Sequence, residues 1–240
     1  MVVDDNAYHQ QQLSVKVNGL KGFSVITACT DGAEAINYLT KSKNLPDIIF
    51  LDVDMKKIDG ITAVDYISDQ FPSIKVIAFT NYSTTMVIDD MFACGAMGFV
   101  FKGGIVENQY EKNIFGEYKT EDGHSLIAEV LNSVVRNVPY IDERIKYDLS
   151  KRDLLLAERK NTKQAVNKKY KLTRREKQII GLNVFEVDYN TIATITSTSK
   201  RTVETNMSNL SKKFNVKNGR EGVMAFCLRR GASIIARLRG

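Results

Sequence analysis

The sequence feature that most constrains the fold is a short apolar run that ends at a carboxylate. Residues 48–51 are all apolar, Asp52 follows them directly, and Pro46 and the Asp59-Gly60 pair bound the segment. A run of this length between turn-forming residues is typical of a strand buried on both faces. Such a strand delivers Asp52 to the carboxyl edge of the sheet, where ligands bind in open α/β folds. A carboxylate there is a candidate nucleophile, although a helix cap or a turn is the simpler explanation for Asp52 alone.

Short apolar segments alternate with helical patterns throughout the first hundred residues. Strands are predicted at residues 1–3, 23–28, 48–52, 74–79 and 99–101, and helices at residues 7–20, 33–39, 61–70 and 86–94. This alternation predicts a doubly wound, parallel, five-stranded α/β sheet with helices on both faces. One more helix is predicted at residues 126–135, where apolar residues recur at helical spacing before Pro139.

A polar side chain stands at the end of four of the predicted strands. Asp4 and Asp5 follow the first strand, Asp52 ends the third, Thr80 follows the fourth, and Lys102 follows the fifth. Because the carboxyl ends of parallel strands share one edge, we expect these side chains to lie together. Three carboxylates suit Mg²⁺, and a hydroxyl and an ammonium group are suited to hold phosphoryl oxygens. The set therefore has the positioning and charge-neutralising groups that phosphoryl transfer needs.

The two halves of the chain differ sharply in charge. Residues 1–140 carry 11 Lys and Arg against 18 Asp and Glu, a net charge of −7, whereas residues 141–240 carry 23 against 10, a net charge of +13. An acidic half joined to a basic half indicates two domains with different partners. The basic half suits a polyanion such as nucleic acid, and a merely soluble basic surface is the alternative from charge alone.

The spacing of the cysteines and the hydropathy of the sequence indicate the cellular compartment of the protein. Cys29, Cys94 and Cys227 form neither a metal-binding spacing nor a disulfide framework, and we expect them to be reduced. No apolar run is long enough to span a membrane. The N-terminus lacks the basic lead and the apolar region of a secretory signal. We therefore expect a cytoplasmic protein without a membrane partner.

The basic half begins with helical signals. A helical linker is predicted from about residue 150 to residue 171, and we expect its basic residues to form a solvated face. Thr173 and Glu176 have the spacing of a capping box at the start of the next helix. Asn190 is the predicted cap of a short helix that follows.

A longer helix comes after a tight turn. Ser199 is its predicted cap, and one face carries a buried stripe at three- to four-residue spacing: Val203, Met207, Leu210 and Phe214. A last helix is predicted from about Arg220 to Arg230, with Gly231 as its cap. A short helix, a tight turn and a longer helix with a polar face are the layout of a helix-turn-helix domain.

The first 102 residues, and the chain on to about Asn137, resemble the receiver domain of bacterial two-component response regulators. The resemblance rests on Val3-Asp4-Asp5, Leu51 to Met55 with Asp59-Gly60, Phe79-Thr80, and Gly95 to Lys102. It implies a flavodoxin-like fold in which a sensor histidine kinase phosphorylates Asp52. It also implies that Thr80 and Lys102 bind the phosphoryl group and that Phe99 is an aromatic switch. The implied Mg²⁺ ligands are Asp4, Asp5, Asp52 and the backbone carbonyl of Asp54.

Residues 172–238 resemble the LuxR-type helix-turn-helix, through Leu172 to Glu176, Ile192-Ala193, and Ser199 to Leu210. A receiver followed by this domain looks like the NarL/FixJ subfamily of transcription regulators. In that subfamily, phosphorylation frees the DNA-binding domain and favours a homodimer on paired half-sites. The resemblance implies base contacts in the major groove of double-stranded DNA from Glu204, Thr205, Ser208 and Asn209. It implies phosphate contacts from Lys200, Arg201, Thr202, Lys212 and Lys213.

Three segments are thus predicted. They are a receiver domain at residues 1–140 with an inserted loop at about 103–123, a helical linker at 141–170, and a small all-α LuxR-type helix-turn-helix DNA-binding domain at 171–240. The expected protein is not an enzyme but a DNA-binding response regulator, in which phosphorylation of Asp52 controls dimerisation, promoter binding and transcription.

Two alternatives remain open. The receiver resemblance has Lys56 where proline is usual and Asn81 where alanine or glycine is usual, which leaves room for a DNA-binding regulator that works without phosphorylation. The other alternative is a phosphatase of the haloacid-dehalogenase type, because Asp52 and Asp54 fit its Asp-x-Asp pair. Against it, that family needs its second acidic pair after the nucleophile, whereas here the acidic pair comes first in the chain.

Overall fold

A computed structural model describes residues 1–102, 125–183, 187–217 and 219–229 of the 240 residues. Its strands are β1 (Val2–Val3), β2 (Ala28–Cys29), β3 (Ile48–Leu51), β4 (Lys75–Thr80), β5 (Gly98–Phe101) and β6 (Tyr140–Ile141). Its helices are α1 (Ala7–Asn18), α2 (Gly32–Lys41), α3 (Gly60–Gln70), α4 (Thr85–Ala93), α5 (Leu126–Val135), α6 (Lys151–Tyr170), α7 (Arg174–Asn183), α8 (Tyr189–Ile195), α9 (Lys200–Phe214) and α10 (Gly219–Arg229). The predicted loop at 103–123 and the Gly231 cap lie outside the described residues.

The strands form one parallel sheet in the order β2-β1-β3-β4-β5-β6. Side chains of α1 and α5 pack with one face of the sheet, around Phe50, Ile77 and Val100. Side chains of α2, α3 and α4 pack with the other face, around Leu51 and Ala78. Apolar residues that alternate between two covered faces require helices on both sides, so the predicted doubly wound parallel sheet is confirmed.

The sheet has six strands where five were predicted. The additional strand β6 pairs with β5, with Tyr140 opposite Gly98 and Ile141 opposite Phe99. Two residues are too few to show an alternating pattern, so only the tertiary pairing identifies this strand. The difference leaves the order of the other strands unchanged.

The second predicted strand is shorter than expected. The pattern at residues 23–28 predicted six strand residues, but β2 contains only Ala28–Cys29. Its neighbour β1 offers two residues, with Val2 opposite Ala28 and Val3 opposite Cys29. Because an edge strand can extend only as far as its single partner, the preceding residues have no ladder to join.

The basic half forms the predicted group of helices. The capping box is present, since the Thr173 N–H donates to Glu176 Oε2 at 2.8 Å and the Glu176 N–H to Thr173 Oγ1 at 3.2 Å. Ser199 caps α9 as predicted. The cap of α8 is Asp188 rather than Asn190, because the Asp188 carboxylate accepts the first free N–H groups of that helix.

No helix in the described segments combines the length and hydropathy that a membrane span requires.

The expectation that the basic residues of the linker helix form a solvated face is met only in part. Arg152 and Arg159 are buried, with 8% and 4% of their surface exposed. The Arg159 guanidinium forms an ion pair with Asp65 on α3, and Lys163 contacts Asp65 at 2.9 Å. Arg152 Nε donates to the carbonyl of Ala96 at 3.1 Å. Three cations therefore fasten α6 to the receiver, and α6 packs against α4.

The helix-turn-helix domain also packs against the receiver. Helix α2 contacts α8, and α3 contacts α7. Across this contact the Gln178 amide donates to Gln70 Oε1 at 3.1 Å. The two predicted domains are thus docked on each other, with the receiver against the first two helices of the helix-turn-helix domain.

A buried carboxyl group on α4 predicts a pH effect on stability. Asp90 is 2% exposed, and its Oδ2 has no hydrogen-bond partner within the described segments. Burial, with smaller contributions from Asp89 and Asp59, raises the pKa of Asp90 to about 7. The folded state thus holds a proton that the unfolded chain releases near pH 4, so stability falls as pH rises between these values.

We therefore expect Asp90→Asn to stabilise the protein more at pH 8 than at pH 5. The difference between the two pH values should be about 3 kcal/mol in the free energy of unfolding, since pH 5 lies two units below the folded pKa and one unit corresponds to about 1.4 kcal/mol. Urea unfolding of both proteins at each pH measures it. An identical pH dependence for the two proteins would show that Asp90 is ionised in the folded state.

Candidate functional site

The carboxyl edge of the sheet gathers the polar side chains that follow its strands. Asp4 follows β1 and Asp52 follows β3, and one carboxylate oxygen from each of Asp4, Asp5 and Asp52 lies within 4.8 Å of the others. Asp4 and Asp52 are buried, whereas Asp5 is exposed. The cluster is therefore open to solvent on the Asp5 side and closed by the sheet beneath.

Lys102 connects the cluster to the end of β5. Its side chain is 1% exposed, and its Nζ lies 2.5 Å from Asp4 Oδ2 and 2.8 Å from Asp52 Oδ2. The same Nζ lies 5.5 Å from the centre of the Phe79 ring. Taking an ammonium group out of water is costly, and here two carboxylates and an aromatic face offset that cost. The arrangement fixes a positive charge beside Asp52.

The pKa values of the two buried carboxyl groups are shifted in opposite directions. Burial raises the pKa of Asp52 above its usual value, although the Lys102 charge and hydrogen bonds from Lys102 and Thr80 act in the opposite direction. Burial also acts to raise the pKa of Asp4, but hydrogen bonds from His9 and Lys102 and the Lys102 charge outweigh it, so that pKa lies below its usual value. A further cation beside Asp52 would favour its ionised form.

The acidic cluster fits a divalent cation. Its three carboxylates supply hard oxygen donors, and the exposed side of Asp5 leaves room for the water ligands that Mg²⁺ keeps. The Asp52 carboxylate also accepts the Val53 N–H at 2.7 Å, which orients it. The cluster thus offers the kind of carboxylate ligands with which receiver domains bind Mg²⁺.

The loop after Asp52 folds back, so that Gly60 lies directly against the backbone of Asp52 and Val53. The Gly60 N–H donates to the Val53 carbonyl at 2.9 Å. A Cβ at Gly60 would lie 2.1 Å from the Asp52 carbonyl oxygen, which no side chain tolerates. Glycine at this position therefore allows the loop to close behind the acceptor carboxylate, and Asp59 then caps α3.

Other predicted residues occupy distinct positions around the cluster. Thr80 is fully buried at the end of β4, and its hydroxyl accepts the Tyr82 N–H at 3.3 Å. Phe99 is fully buried in the core on β5, away from solvent. The Asp54 side chain is exposed and accepts a hydrogen bond from the Tyr82 hydroxyl at 2.9 Å. Tyr82 was not predicted, because nothing in the sequence indicates that it spans the two loops beside Asp52.

The second candidate site is the polar face of α9. Its buried stripe, Val203, Met207, Leu210 and Phe214, faces the core as predicted. All nine predicted DNA-contacting residues are exposed: Lys200, Arg201, Thr202, Glu204, Thr205, Ser208, Asn209, Lys212 and Lys213. The docked receiver therefore does not cover this face. Lys213 differs from the others, because its Nζ pairs with Glu176 Oε2 at 2.8 Å.

Two family models match the chain. The model described as "Response regulator receiver domain" matches residues 1–109, and the model described as "Bacterial regulatory proteins, luxR family" matches residues 170–226. Together they cover more than two thirds of the sequence. The chain is a response regulator. It joins a receiver domain to a LuxR-type helix-turn-helix domain, the combination of the NarL/FixJ subfamily.

Relatives of this response regulator match it over nearly the whole length of both chains. The transcriptional regulatory protein DegU of Brevibacillus brevis is 22% identical over 93% of this chain and 90% of its own length. The oxygen regulatory protein NreC of Staphylococcus epidermidis is 22% identical over 91% of each chain. A crystal structure of the Salmonella typhimurium response regulator RcsB, 16% identical, covers 94% of this chain and 96% of that chain with a TM-score of 0.48.

The family also decides the question of enzymatic activity. A Xanthomonas euvesicatoria protein-glutamate methylesterase is 32% identical over 60% of this chain, but the match spans only 39% of that enzyme. The response regulator combines its receiver with a DNA-binding domain instead of a catalytic one. The haloacid-dehalogenase alternative is therefore wrong, and the chain is a DNA-binding regulator of transcription.

Proposed function

We propose that a sensor histidine kinase transfers a phosphoryl group to Asp52 and thereby controls dimerisation and promoter binding. The observation that carries this proposal is the geometry around one carboxylate. Asp52 Oδ2 lies 2.8 Å from the buried Lys102 Nζ, with Asp4 and Asp5 beside it. A nucleophilic oxygen, a fixed cation and an acidic metal site are the positioning and charge-neutralising groups that phosphoryl transfer requires.

Each residue of the site has a proposed part in this transfer. The Asp52 carboxylate attacks the phosphorus of the kinase's phosphohistidine, so that a P–O bond forms while the P–N bond breaks and the histidine imidazole leaves. The Lys102 ammonium neutralises one phosphoryl oxygen, and the buried Thr80 hydroxyl donates to another. Asp4, Asp5, Asp52 and the Asp54 backbone carbonyl would hold Mg²⁺. When bound, the ion supplies positive charge to the oxygens of the transferred group.

A chain of contacts offers a route from the acceptor site to the linker helix. Phe99, the proposed switch, lies 6.4 Å from Phe92 on α4, and Phe92 lies 5.7 Å from Tyr147, measured between ring centres. The Tyr147 hydroxyl donates to Asp89 at 2.7 Å. A shift of Phe99 toward Thr80 would change this packing and bias how the segment before α6 lies on α4.

We propose that α9 reads DNA in the major groove, with Glu204, Thr205, Ser208 and Asn209 at base edges. The phosphate contacts would come from Lys200, Arg201, Thr202, Lys212 and Lys213. Since these residues are exposed while the receiver is docked, phosphorylation need not uncover α9. We therefore assign its effect to dimerisation, which would place two copies of α9 on paired half-sites.

We further propose the boundaries 1–140, 141–170 and 171–240 for the three segments, and a cytoplasmic location.

Two classes of substitution on α9 should affect DNA binding differently. We expect Asn209→Ala to cost about 1–3 kcal/mol on the selected sequence and to relax preference at one base pair. We expect Lys200→Ala to weaken binding to all sequences about equally and to lower the salt slope by about one. Selection from a random duplex library, followed by affinity measurements at several salt concentrations, tests both.

The matched control is Lys168→Ala, since Lys168 is an exposed lysine on the linker helix. It should leave both affinity and sequence preference unchanged. If Asn209→Ala keeps the same preference at every base pair as the unsubstituted protein, α9 does not read base edges through that side chain.

A second candidate is a regulator that binds DNA without phosphorylation. Two observations favour it. The DNA-contacting face of α9 is exposed while the receiver is docked. Asn81 follows Thr80 at a position where receivers usually have alanine or glycine, and its buried Oδ1 has no hydrogen-bond partner among the described residues. Full promoter affinity without any phosphodonor, unchanged by adding one, would favour this candidate over the phosphorylation switch.

A further inference from the structure

A cavity of about 440 Å³ lies between the two domains. On the receiver side it is bounded by the end of α2 and the end of α3, and on the other side by the start of α7 and the turn after α8. It is separate from the carboxyl edge of the sheet, and none of the residues proposed above for phosphoryl transfer or DNA contact lines it. Its size is within the usual range for small-molecule sites.

The charged side chains that line this cavity are all positive. Arg174 and Arg175, at the first turn of α7, line it, and no acidic side chain does. Arg175 donates to the carbonyl of Thr196. Within the described segments neither guanidinium forms an ion pair with a carboxylate, whereas Arg152 and Arg159 on α6 both do. Two arginines without carboxylate partners at the first turn of a helix favour an anion at this place.

A buried phenol lies in the wall of the same cavity. Tyr66 is 5% exposed, and its hydroxyl oxygen is buried without a hydrogen-bond partner among the described residues. Burial raises the pKa of Tyr66 to about 12, with Arg174 and Arg175 acting in the opposite direction, so the hydroxyl keeps its proton and can donate it. Leaving such a group unpaired costs free energy, which an acceptor oxygen in the cavity would recover.

The remaining lining combines polar residues with the apolar side chains of Phe71 and Ile195. The Thr40 hydroxyl already donates to the carbonyl of Asn37 and the Thr196 hydroxyl to that of Ile192, and the Gln178 amide already donates to Gln70. The donors that remain for a ligand are therefore the two guanidinium groups on one side of the space and the Tyr66 phenol on the other. We propose that this cavity binds a small phosphate-type oxyanion, either inorganic phosphate or the phosphate group of a phosphomonoester.

Such a ligand would link phosphate availability to the arrangement of the domains. It would contact Tyr66 from the receiver together with Arg174 and Arg175 from the DNA-binding domain. Only the docked arrangement brings these residues together, so binding would favour docking by mass action. The cavity also reaches Ser197, which has a φ of 51° in the tight turn before α9. The ligand would therefore act directly on the turn that positions the DNA-contacting helix.

The experiment titrates inorganic phosphate and, separately, adenosine monophosphate into the full chain. Chloride keeps the ionic strength constant, and a chelator removes divalent cations so that the acidic cluster is not the site. Isothermal calorimetry and thermal unfolding measure binding. We expect saturable binding and a rise in Tm, with at least about tenfold weaker binding for Arg174→Gln and a smaller loss for Tyr66→Phe. Preference for one of the two probes identifies the source of the phosphate group.

Two control variants make the result specific. Lys168→Gln with Lys169→Gln removes exposed positive charge from α6 and should leave binding unchanged. Lys200→Gln with Arg201→Gln removes charge from the DNA-contacting face and should also leave it unchanged. Because Arg174 is exposed and Tyr66→Phe deletes only a hydroxyl, both test variants should fold normally. Equal binding by all variants, no saturable binding, or a loss confined to the Lys200 and Arg201 variant would each overturn the proposal.

Discussion

Asp52→Asn protein will not take up a phosphoryl group from a small acyl-phosphate donor in the presence of Mg²⁺. The substitution keeps the size of the side chain but removes the nucleophilic oxygen, and an amide cannot form the acyl phosphate. Intact-mass measurement after incubation should show one added phosphoryl group on the unsubstituted protein and none on the variant. The expected loss is complete, since the other carboxylates of the cluster are proposed to hold the metal rather than to attack.

Asp54→Asn is the matched control for this experiment. The Asp54 side chain is exposed and contacts Tyr82, and only its backbone carbonyl is proposed as a metal ligand. We expect this variant to be phosphorylated to the same final extent as the unsubstituted protein. Labelling of Asp52→Asn protein at the normal level would mean that another residue accepts the phosphoryl group.

Asp65→Ala should destabilise the protein by about 3–5 kcal/mol, because it leaves the buried Arg159 without its carboxylate partner and removes one of the two partners of Lys163. Asp65 is 5% exposed on α3 and pairs with Arg159 and with Lys163 of the linker helix. Lys163 retains Asp69, but Arg159, at 4% exposure, has no other carboxylate among the described residues. Chemical unfolding monitored by circular dichroism measures the loss, and limited proteolysis of α6 should become faster.

Two further variants separate the ionic contact from simple loss of volume. Asp153→Ala removes the exposed partner of Arg152 and should have little effect, since that carboxylate is 85% exposed. The double substitution Asp65→Leu with Arg159→Leu removes both charges, and we expect it to recover much of the stability lost in Asp65→Ala. If Asp65→Ala is as stable as Asp153→Ala, the linker helix is not held to the receiver by this contact.

The acceptor cluster could be predicted from the sequence because parallel strands impose it. Asp4, Asp52, Thr80 and Lys102 each follow an apolar run, and a single rule about strand ends brings them to one edge. The contact of Lys102 with Asp4 and Asp52 joins residues far apart in the chain, yet it follows from that rule. Local patterns likewise identified α9, whose cap and buried stripe lie within sixteen residues of each other.

The errors arise where a partner from elsewhere in the chain decides the structure. Arg159 and Lys163 were expected on a solvated face because their helix is strongly polar, but they form ion pairs with carboxylates on α3. One of these carboxylates, Asp69, lies 94 residues before Lys163 in the chain. Residues 23–28 have a strand pattern, and the two-residue length of β1 limits what β2 can pair with. Neither the charge pattern of a single helix nor the propensity of a single strand contains this information.

The central claim is that phosphorylation of Asp52 raises affinity for DNA. The most direct measurement is the equilibrium affinity of the full chain for a promoter fragment that it has selected, with and without a small acyl-phosphate donor and Mg²⁺, for the unsubstituted protein and Asp52→Asn. We predict a gain of about 5- to 150-fold for the unsubstituted protein, the usual range for coupling between two sites, and none for the variant. The same gain in both proteins, or no gain in either, would contradict the claim.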